Sequence, residues 1–295
     1  MARIRIMFSR FSAFYSPLIA TEAAGFLKAE GLEPEFSVAT PERPARAGLA
    51  DGSLDLIQSA VSASWAPLER GERSDLVHFA QINQKDGFFL AGRAPEPDFA
   101  WARLAGARVL VDHGAQPLAM FKYAAHKQGL AYGALSAIDA GGPDAMVAAF
   151  RGGDADYVHL QGPGPQQLEA DGVGYVVASV GEAIGSVAFS SLCARRAWLE
   201  TDIAHAFTSA YAKARAWVRE TPPERVAQAE ARWFEGVDRD ALTRTIAAYQ
   251  RLGNWSGPLE IGRDGYEVTL DVFQHSGLIT TRHPYDAVVT APPAI

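Results

Sequence analysis

Apolar and polar positions alternate at the start of the chain. Ile4, Ile6 and Phe8 fall on one face of Arg3–Ser9, which predicts a strand. The loop Arg10–Tyr15 separates it from a helical stretch that opens at Ser16-Pro17 and stops at Gly31. Ser16 suits an N-cap and Pro17 a first helical position, where no N–H is needed. The open N–H groups of that turn are therefore expected to point at the loop and to attract an anion or polar acceptor. The plan recurs downstream, with a strand at 108–112, a loop from His113 to Gln116, and a helix led by Pro117 that ends at Gly129. Two openings of one design predict a chain of two facing halves.

Between these openings the pattern predicts a strand at 33–39, a helix at 41–50 and a mostly apolar strand at 55–60. Strand, helix, strand, helix, strand in this order predicts a parallel sheet whose loops at the strand carboxyl ends gather on one edge. Next come a strand at 76–82, a turn at 84–87 and a returning strand at 88–93; the Pro- and acid-rich stretch 94–98 then punctuates the chain. The second half repeats the order, and LADGSLDLIQ is echoed by FRGGDADYVHLQ. A strand at 186–194 is expected to cross back toward the first half. Beyond Trp198 the periodicity is helical, and those helices are expected to clothe the first sheet.

Composition narrows the class. The chain has 295 residues, 48% hydrophobic and 21% charged, enough for a two-domain globular protein. A formal net charge of -7 with no basic cluster argues against a nucleic-acid partner. The single cysteine, Cys193, excludes an internal disulfide and a Cys-based zinc cluster. No apolar run approaches the roughly 20 residues of a membrane span. Met1-Ala2 leads directly into the first strand, which leaves two expectations: a cytoplasmic protein, or a periplasmic one whose leader was removed.

The candidate chemistry collects at the predicted loops. Arg10 and Lys85 are the cations near the expected cleft edge, suited to a carboxylate or sulfonate. Ser12, Ser59, Ser62 and Ser64 offer hydroxyls for capping or ligand contact, and Gln84, Gly114 and Gln116 offer amide groups. Phe11, Tyr15, Trp65, Phe88 and Tyr157 are candidates to stack on a flat ligand. His113 at the second opening and His159 at a strand end are expected to meet within one half, as ligand contacts rather than metal ligands. There is no Gly-x-Ser-x-Gly elbow, and Cys193 on an apolar strand reads as an inert core thiol. No cofactor and no metal are expected.

These residues also carry a family resemblance. The succession YSPLIATEAAGFLKAEGLEPEF, GSLDLIQSA, QINQKDGFFL, RVLVDHGAQP, AFRGGDADYVHL and, near the end, VTLDVFQHSGLIT resembles the NMT1/THI5-like, SsuA/TauA/NrtA-type solute-binding proteins of ABC importers. The resemblance implies an α/β chain of two Rossmann-like lobes with a ligand cleft between them, the type II periplasmic-binding-protein architecture. Residues 1–90 and 190–295 would form lobe I and residues 91–189 lobe II, bending near Gly87–Gly92 and Gly185–Phe189. It further implies a monomeric, non-enzymatic binder of a small organic anion or aromatic heterocycle, partnered by an importer permease if exported.

The rival is a cytoplasmic enzyme or ligand sensor on the same scaffold. The enzymatic relatives include the yeast pyrimidine synthase of thiamine biosynthesis, with its cofactor-linking Lys, sacrificial His and run of cysteines. This chain has Ser59 and Ala63 at the Lys and His positions and one cysteine. Where many relatives have Glu-Pro after the second-lobe strand, it has His159-Leu160-Gln161-Gly162-Pro163.

Overall fold

A computed structural model describes the whole chain, Met1–Ile295. In chain order its strands are β1 (Ala2–Phe8), β2 (Leu32–Val38), β3 (Leu56–Ser59), β4 (Leu76–Asn83), β5 (Phe88–Gly92), β6 (Arg108–Leu110), β7 (Ser136–Ile138), β8 (Tyr157–Gln161), β9 (Tyr175–Ser179) and β10 (Ser190–Arg195). The helices are α1 (Ser16–Ala23), α2 (Phe26–Ala29), α3 (Ala45–Ala50), α4 (Trp65–Glu69), α5 (Ala115–Lys127), α6 (Pro143–Gly152), α7 (Gly164–Ala170), α8 (Val180–Ile184), α9 (Asp202–Glu220), α10 (Pro223–Glu230), α11 (Arg239–Leu252), α12 (Arg263–His275) and α13 (Tyr285–Val288).

The strands form two five-stranded sheets of matching design, ordered β2-β1-β3-β10-β4 and β7-β6-β8-β5-β9. In each, four strands run in one direction and the fourth position is filled by an antiparallel strand arriving from the other half of the chain. β10 enters the first sheet in this way, as the crossing strand expected near 186–194, and β5 enters the second. β5 is therefore not a hairpin partner of β4. The chain leaves the first sheet at residues 84–87, and a division at residue 90 falls inside a strand. Because each lobe contributes a strand to the other's sheet, the architecture is two lobes joined by two crossings, with helices on the sheet faces.

Alternation along β1 explains its place. Ile4, Ile6 and Phe8 enter the main core, whereas Met7 points to the opposite face with Leu49, Leu54, Ile57 and Cys193. The second sheet buries Leu110, Val158 and Leu160 against Met146 and Phe150 of α6. Each such fully buried side chain contributes about 1.5–3 kcal/mol.

Two local expectations are corrected. The single helix predicted to run to Gly31 is broken into α1 and α2 by Gly25, whose left-handed φ of 79° suits a residue without Cβ. Ser16 is not the N-cap, since it is already helical at φ -46°, ψ -40°. The cap is Ser12, which accepts from Phe14 N at 3.2 Å and starts a 3-10 turn, Ala13–Tyr15, that feeds α1. Ser16 Oγ instead lies 2.8 Å from Ala13 O and 2.7 Å from Glu230 Oε2. One hydroxyl proton cannot serve both acceptors. Burial raises the Glu230 carboxyl well above the ordinary range, so Glu230 is the protonated donor to Ser16.

The C-terminal helices do not clothe the first sheet alone. α11 is fastened to the second lobe, where Thr245 Oγ1 lies 3.1 Å from the Gln166 side-chain amide and Asp238 N, its cap, donates to Gln167 Oε1 at 2.7 Å. Tyr249 of α11 also receives Gly162 N at 2.9 Å and donates to Gly87 O at 2.8 Å, linking the first crossing to the end of β8.

Candidate functional site

Parallel strands place the loops after β1, β3, β6 and β8 at carboxyl edges, and in this chain those edges face each other across a cleft. The cleft holds two joined chambers. One, of about 410 Å³, is lined by Arg10 and Tyr15 of the first loop, Arg46 of α3, Gln116 of α5, and Phe88 and Phe189 at the crossings, among others. The other, of about 610 Å³, runs past Arg10, Phe11 and Ser12 to Asp112, Asp144 and Gly162. Ser9, Arg10 and Gln161 line both.

Charge is unevenly divided between them. No aspartate or glutamate lines the smaller chamber, although the chain as a whole carries a net charge of -7. Its two guanidiniums are uncommitted: Arg10 has no hydrogen-bond or carboxylate partner in the chain, and Arg46 reaches only Ser64 Oγ at 3.4 Å. Half-buried cations without counter-ions, walled by low-dielectric aromatic surface, make a site for an anion. Tyr15, Phe88 and Phe189 supply that surface, with Phe14 packed edge-on behind Phe189 at 5.2 Å. α5 opens beside this chamber at Gln116 and Pro117, which adds the positive end of a helix dipole.

The lobes touch across the cleft. Ser62 Oγ donates to Gln116 Oε1 at 2.5 Å, and Ser12 Oγ donates to Gly162 O at 2.8 Å. Behind Arg46 a buried relay runs from Ser64 Oγ to His78 Nε2 at 3.1 Å and from His78 Nδ1 to Ser191 Oγ at 2.8 Å. Burial pushes the His78 imidazole down to about 3, so it is neutral and ties β4 to β10. Both ring nitrogens are engaged by hydroxyls, and no carboxylate partners the ring. The Cys193 thiol beside it is buried and pushed up to about 12, so it stays a thiol.

Of the residues singled out in the sequence, Arg10, Phe11, Ser12, Tyr15, Ser59, Phe88 and Gln116 line the cleft and Ser62 bonds across it. The others are placed elsewhere. Trp65 is fully buried, its Nε1 donating to Tyr266 OH at 2.9 Å and its ring edge-on to Phe273 at 5.0 Å. Gln84 Nε2 donates to Gly253 O at 2.9 Å in the crossing, and neighbouring Lys85 lines neither chamber. Tyr157, at the amino end of β8, donates to Glu96 Oε1 at 2.8 Å, far along the strand from Gln161. Gly114 N donates to Asp112 Oδ1 at 2.8 Å, closing the turn before α5.

The two histidines do not form a joint site. His113 Nδ1 bonds Val111 O at 2.7 Å, while His159 is sealed between Phe88 at 4.6 Å and Phe121 at 4.9 Å with neither ring nitrogen partnered. Burial, then the nearby His113, push the His159 imidazole down to about 3. Sequence reasoning missed Arg46, Gln161 and Phe189. The available signal was positional, since Arg46 follows the carboxyl end of β2 and Gln161 ends β8, on the edge that gathers the loops. No group of three or more His, Cys, Asp or Glu residues is arranged to hold a metal ion.

Two mixed sheets, two crossings and a cleft at the facing loops define the two-lobed fold of periplasmic binding proteins. The profile described as "NMT1/THI5 like" matches residues 13–225, and the chain belongs to that family. It is 26% identical to the putative binding protein YtlA of Bacillus subtilis (strain 168) over 98% of this chain and 88% of that one. Among solved structures, the periplasmic aliphatic sulphonate-binding protein SsuA from Escherichia coli superposes with a TM-score of 0.74 at 18% identity, covering 100% of this chain and 94% of that one. The alkanesulfonate-binding protein SsuA from Xanthomonas axonopodis pv. citri, bound to MOPS, gives 0.72 at 17% identity over 98% of both chains.

Proposed function

We propose that this protein is a solute-binding protein that captures a small organic anion between its lobes, outside the cytoplasm, and delivers it as a monomer to the permease of an ABC importer. The observation that carries this reading is the pair of unpartnered guanidiniums, Arg10 and Arg46, in a chamber that no carboxylate lines. The anionic group sits at Arg10 and Arg46, and an apolar tail lies on Tyr15, Phe88 and Phe189. A chamber of about 410 Å³ is within the size of ordinary small-molecule pockets, roughly 300–1,000 Å³. The sulfonate ligands named for two structural relatives support the same class of anion. Recognition without turnover is supported by the site's chemistry: the hydroxyl that meets an imidazole, Ser64 on His78, lies in a buried relay whose ring has no carboxylate partner.

The test is a thermal-shift and calorimetric screen of short sulfonates, carboxylates and neutral heterocycles against the purified chain, followed by mass spectrometry of any compound that binds. Saturable binding of anions, recovered unchanged, is the expected result, because a ligand that binds only the folded state raises its stability by mass action. Binding confined to neutral heterocycles, or chemical conversion of the bound compound, overturns the reading.

A further inference from the structure

Away from the cleft, two helices from different lobes end at the same place. α5 covers the second sheet, where its Phe121 packs on His159 of β8. α12 belongs to the other side, with Tyr266 bonded to Trp65 and Gly265 O receiving Ala188 N of the second crossing at 3.0 Å. The last turn of α5 carries His126 and the last turn of α12 carries His275. Their ring centroids lie 4.5 Å apart with planes 30° from parallel, and Tyr123 stands edge-on to His275 at 5.6 Å. Both imidazoles are exposed, and neither makes a hydrogen bond or ion pair within the chain.

We propose that His126 and His275 form a two-imidazole site for a divalent transition-metal ion that bridges the lobes. Two imidazoles on one metal, with metal–nitrogen bonds of about 2.0–2.1 Å, have ring centroids roughly 4.5–5.2 Å apart for bond angles from square to tetrahedral. The observed separation meets the square end of that range. The negative ends of both helix dipoles converge here, an environment that favours a cation. Neighbouring cations are turned elsewhere: Lys122 Nζ lies over the Tyr132 ring at 4.9 Å, and Lys127 Nζ donates to Ile184 O at 2.8 Å. Asp271, one turn before His275, is held by Arg282 at 2.6 Å, and no third histidine, cysteine or carboxylate joins the pair, so water completes the coordination. Imidazole ligands and a near-square angle suit Cu²⁺ or Ni²⁺, with Cu²⁺ the tightest of the series.

The probe is Cu²⁺ alone, titrated calorimetrically into the full, untagged chain, with electron paramagnetic resonance of the loaded protein. The expected result is one saturable site whose spectrum carries nitrogen couplings, and at least a tenfold loss of affinity in His126→Ala and in His275→Ala separately. The bulkier His126→Gln and His275→Gln are expected to lose it equally, and circular dichroism checks that each variant is folded. No saturable uptake by the parent chain overturns the proposal. So does full-strength binding by either single variant, which would place the ion elsewhere.

Discussion

Ser62, in the turn after β3, donates to Oε1 of Gln116 in the first turn of α5 at 2.5 Å, and Gln116 Nε2 donates onward to Phe189 O at 3.0 Å. One amide thereby joins a loop of the first lobe, a helix of the second and the crossing between them. Of the two repeated loop-to-helix openings read from the sequence, the second lines the cleft at Gln116 and Pro117, whereas the first reaches it through its loop residues Arg10 and Tyr15, with Ser16 and Pro17 themselves buried.

Removing that amide should loosen the closed arrangement. Each of its hydrogen bonds is worth about 0.5–1.5 kcal/mol net, so Gln116→Ala should weaken anion binding by about fivefold to tenfold and increase the radius of gyration of the ligand-free chain. Calorimetry and small-angle scattering measure the two effects. A variant with parental affinity and radius would show that this contact does not hold the lobes together.

Asp86 sits in the first crossing, fully buried. Its Oδ1 accepts Phe88 N at 2.6 Å, its Oδ2 is unpartnered, and Gly181 packs so close to its carbonyl that a Cβ there would lie 2.4 Å from the oxygen. Burial pushes its carboxyl up to about 8. In the unfolded chain it ionises near pH ~3.9. Between these values the folded state holds a proton that the unfolded state has released, so this residue's contribution to stability falls as pH rises from about 4 to about 8. Asp86→Asn keeps an acceptor for Phe88 N and cannot ionise. Urea denaturation should show it near parental stability at pH 4 and increasingly more stable than the parent toward pH 8, by an amount on the order of a few kcal/mol. A constant gap across that window would mean the carboxyl titrates in its ordinary range.

Trp65 is a test of core against ligand wall. It is fully buried, with Tyr266, Phe273 and His283 around it and its indole N–H bonded. Trp65→Ala should cost about 3–5 kcal/mol, the usual range for deleting a buried aromatic. Affinity measured on the fraction that remains folded should be unchanged, and a selective loss of affinity at parental stability would return Trp65 to the binding site.

How much of this was legible in the sequence follows from what each signal is local to. Alternation at Ile4, Ile6 and Phe8 and the Pro-led helix openings are local, and they carried the strand–helix order, the parallel sheets and the shared cleft. Which sheet receives a strand is not local: Phe88–Gly92 has the same pattern whether it folds back on β4 or crosses over, and only its pairing with β8 and β9 decides. Trp65 stands beside candidate loop residues, but its partner Tyr266 lies 201 residues away, so its burial could not be read from its neighbours. On β8 the alternation puts Tyr157, His159 and Gln161 on one face, yet only the residue at the carboxyl end reaches the cleft. For Arg46 the signal was positional only: it follows the carboxyl end of β2, and no motif around it marks α3 as a wall of the site.

Arg10 and Arg46 provide the most direct test of the anion site. Both line the same chamber, one from the loop after β1 and one from α3, and neither has a carboxylate partner, so removing either leaves no charge of the protein unpaired. A hydrogen bond to a charged group contributes about 1.5–3 kcal/mol, and each 1.4 kcal/mol is about a factor of ten. Arg10→Ala and Arg46→Ala should each weaken binding of the screened anion by about ten- to a hundredfold with the melting temperature of the free protein within a few degrees of the parent. Arg10→Lys and Arg46→Lys keep the charge and lose the planar fork, so they should recover only part of the loss. Because both guanidiniums hold one anionic group, the double alanine variant should lose less than the sum of the two single effects, a non-additivity expected of groups that share a partner. Strict additivity would place the arginines on separate groups of the ligand, and unchanged affinity in both single variants would remove the anion from the site altogether.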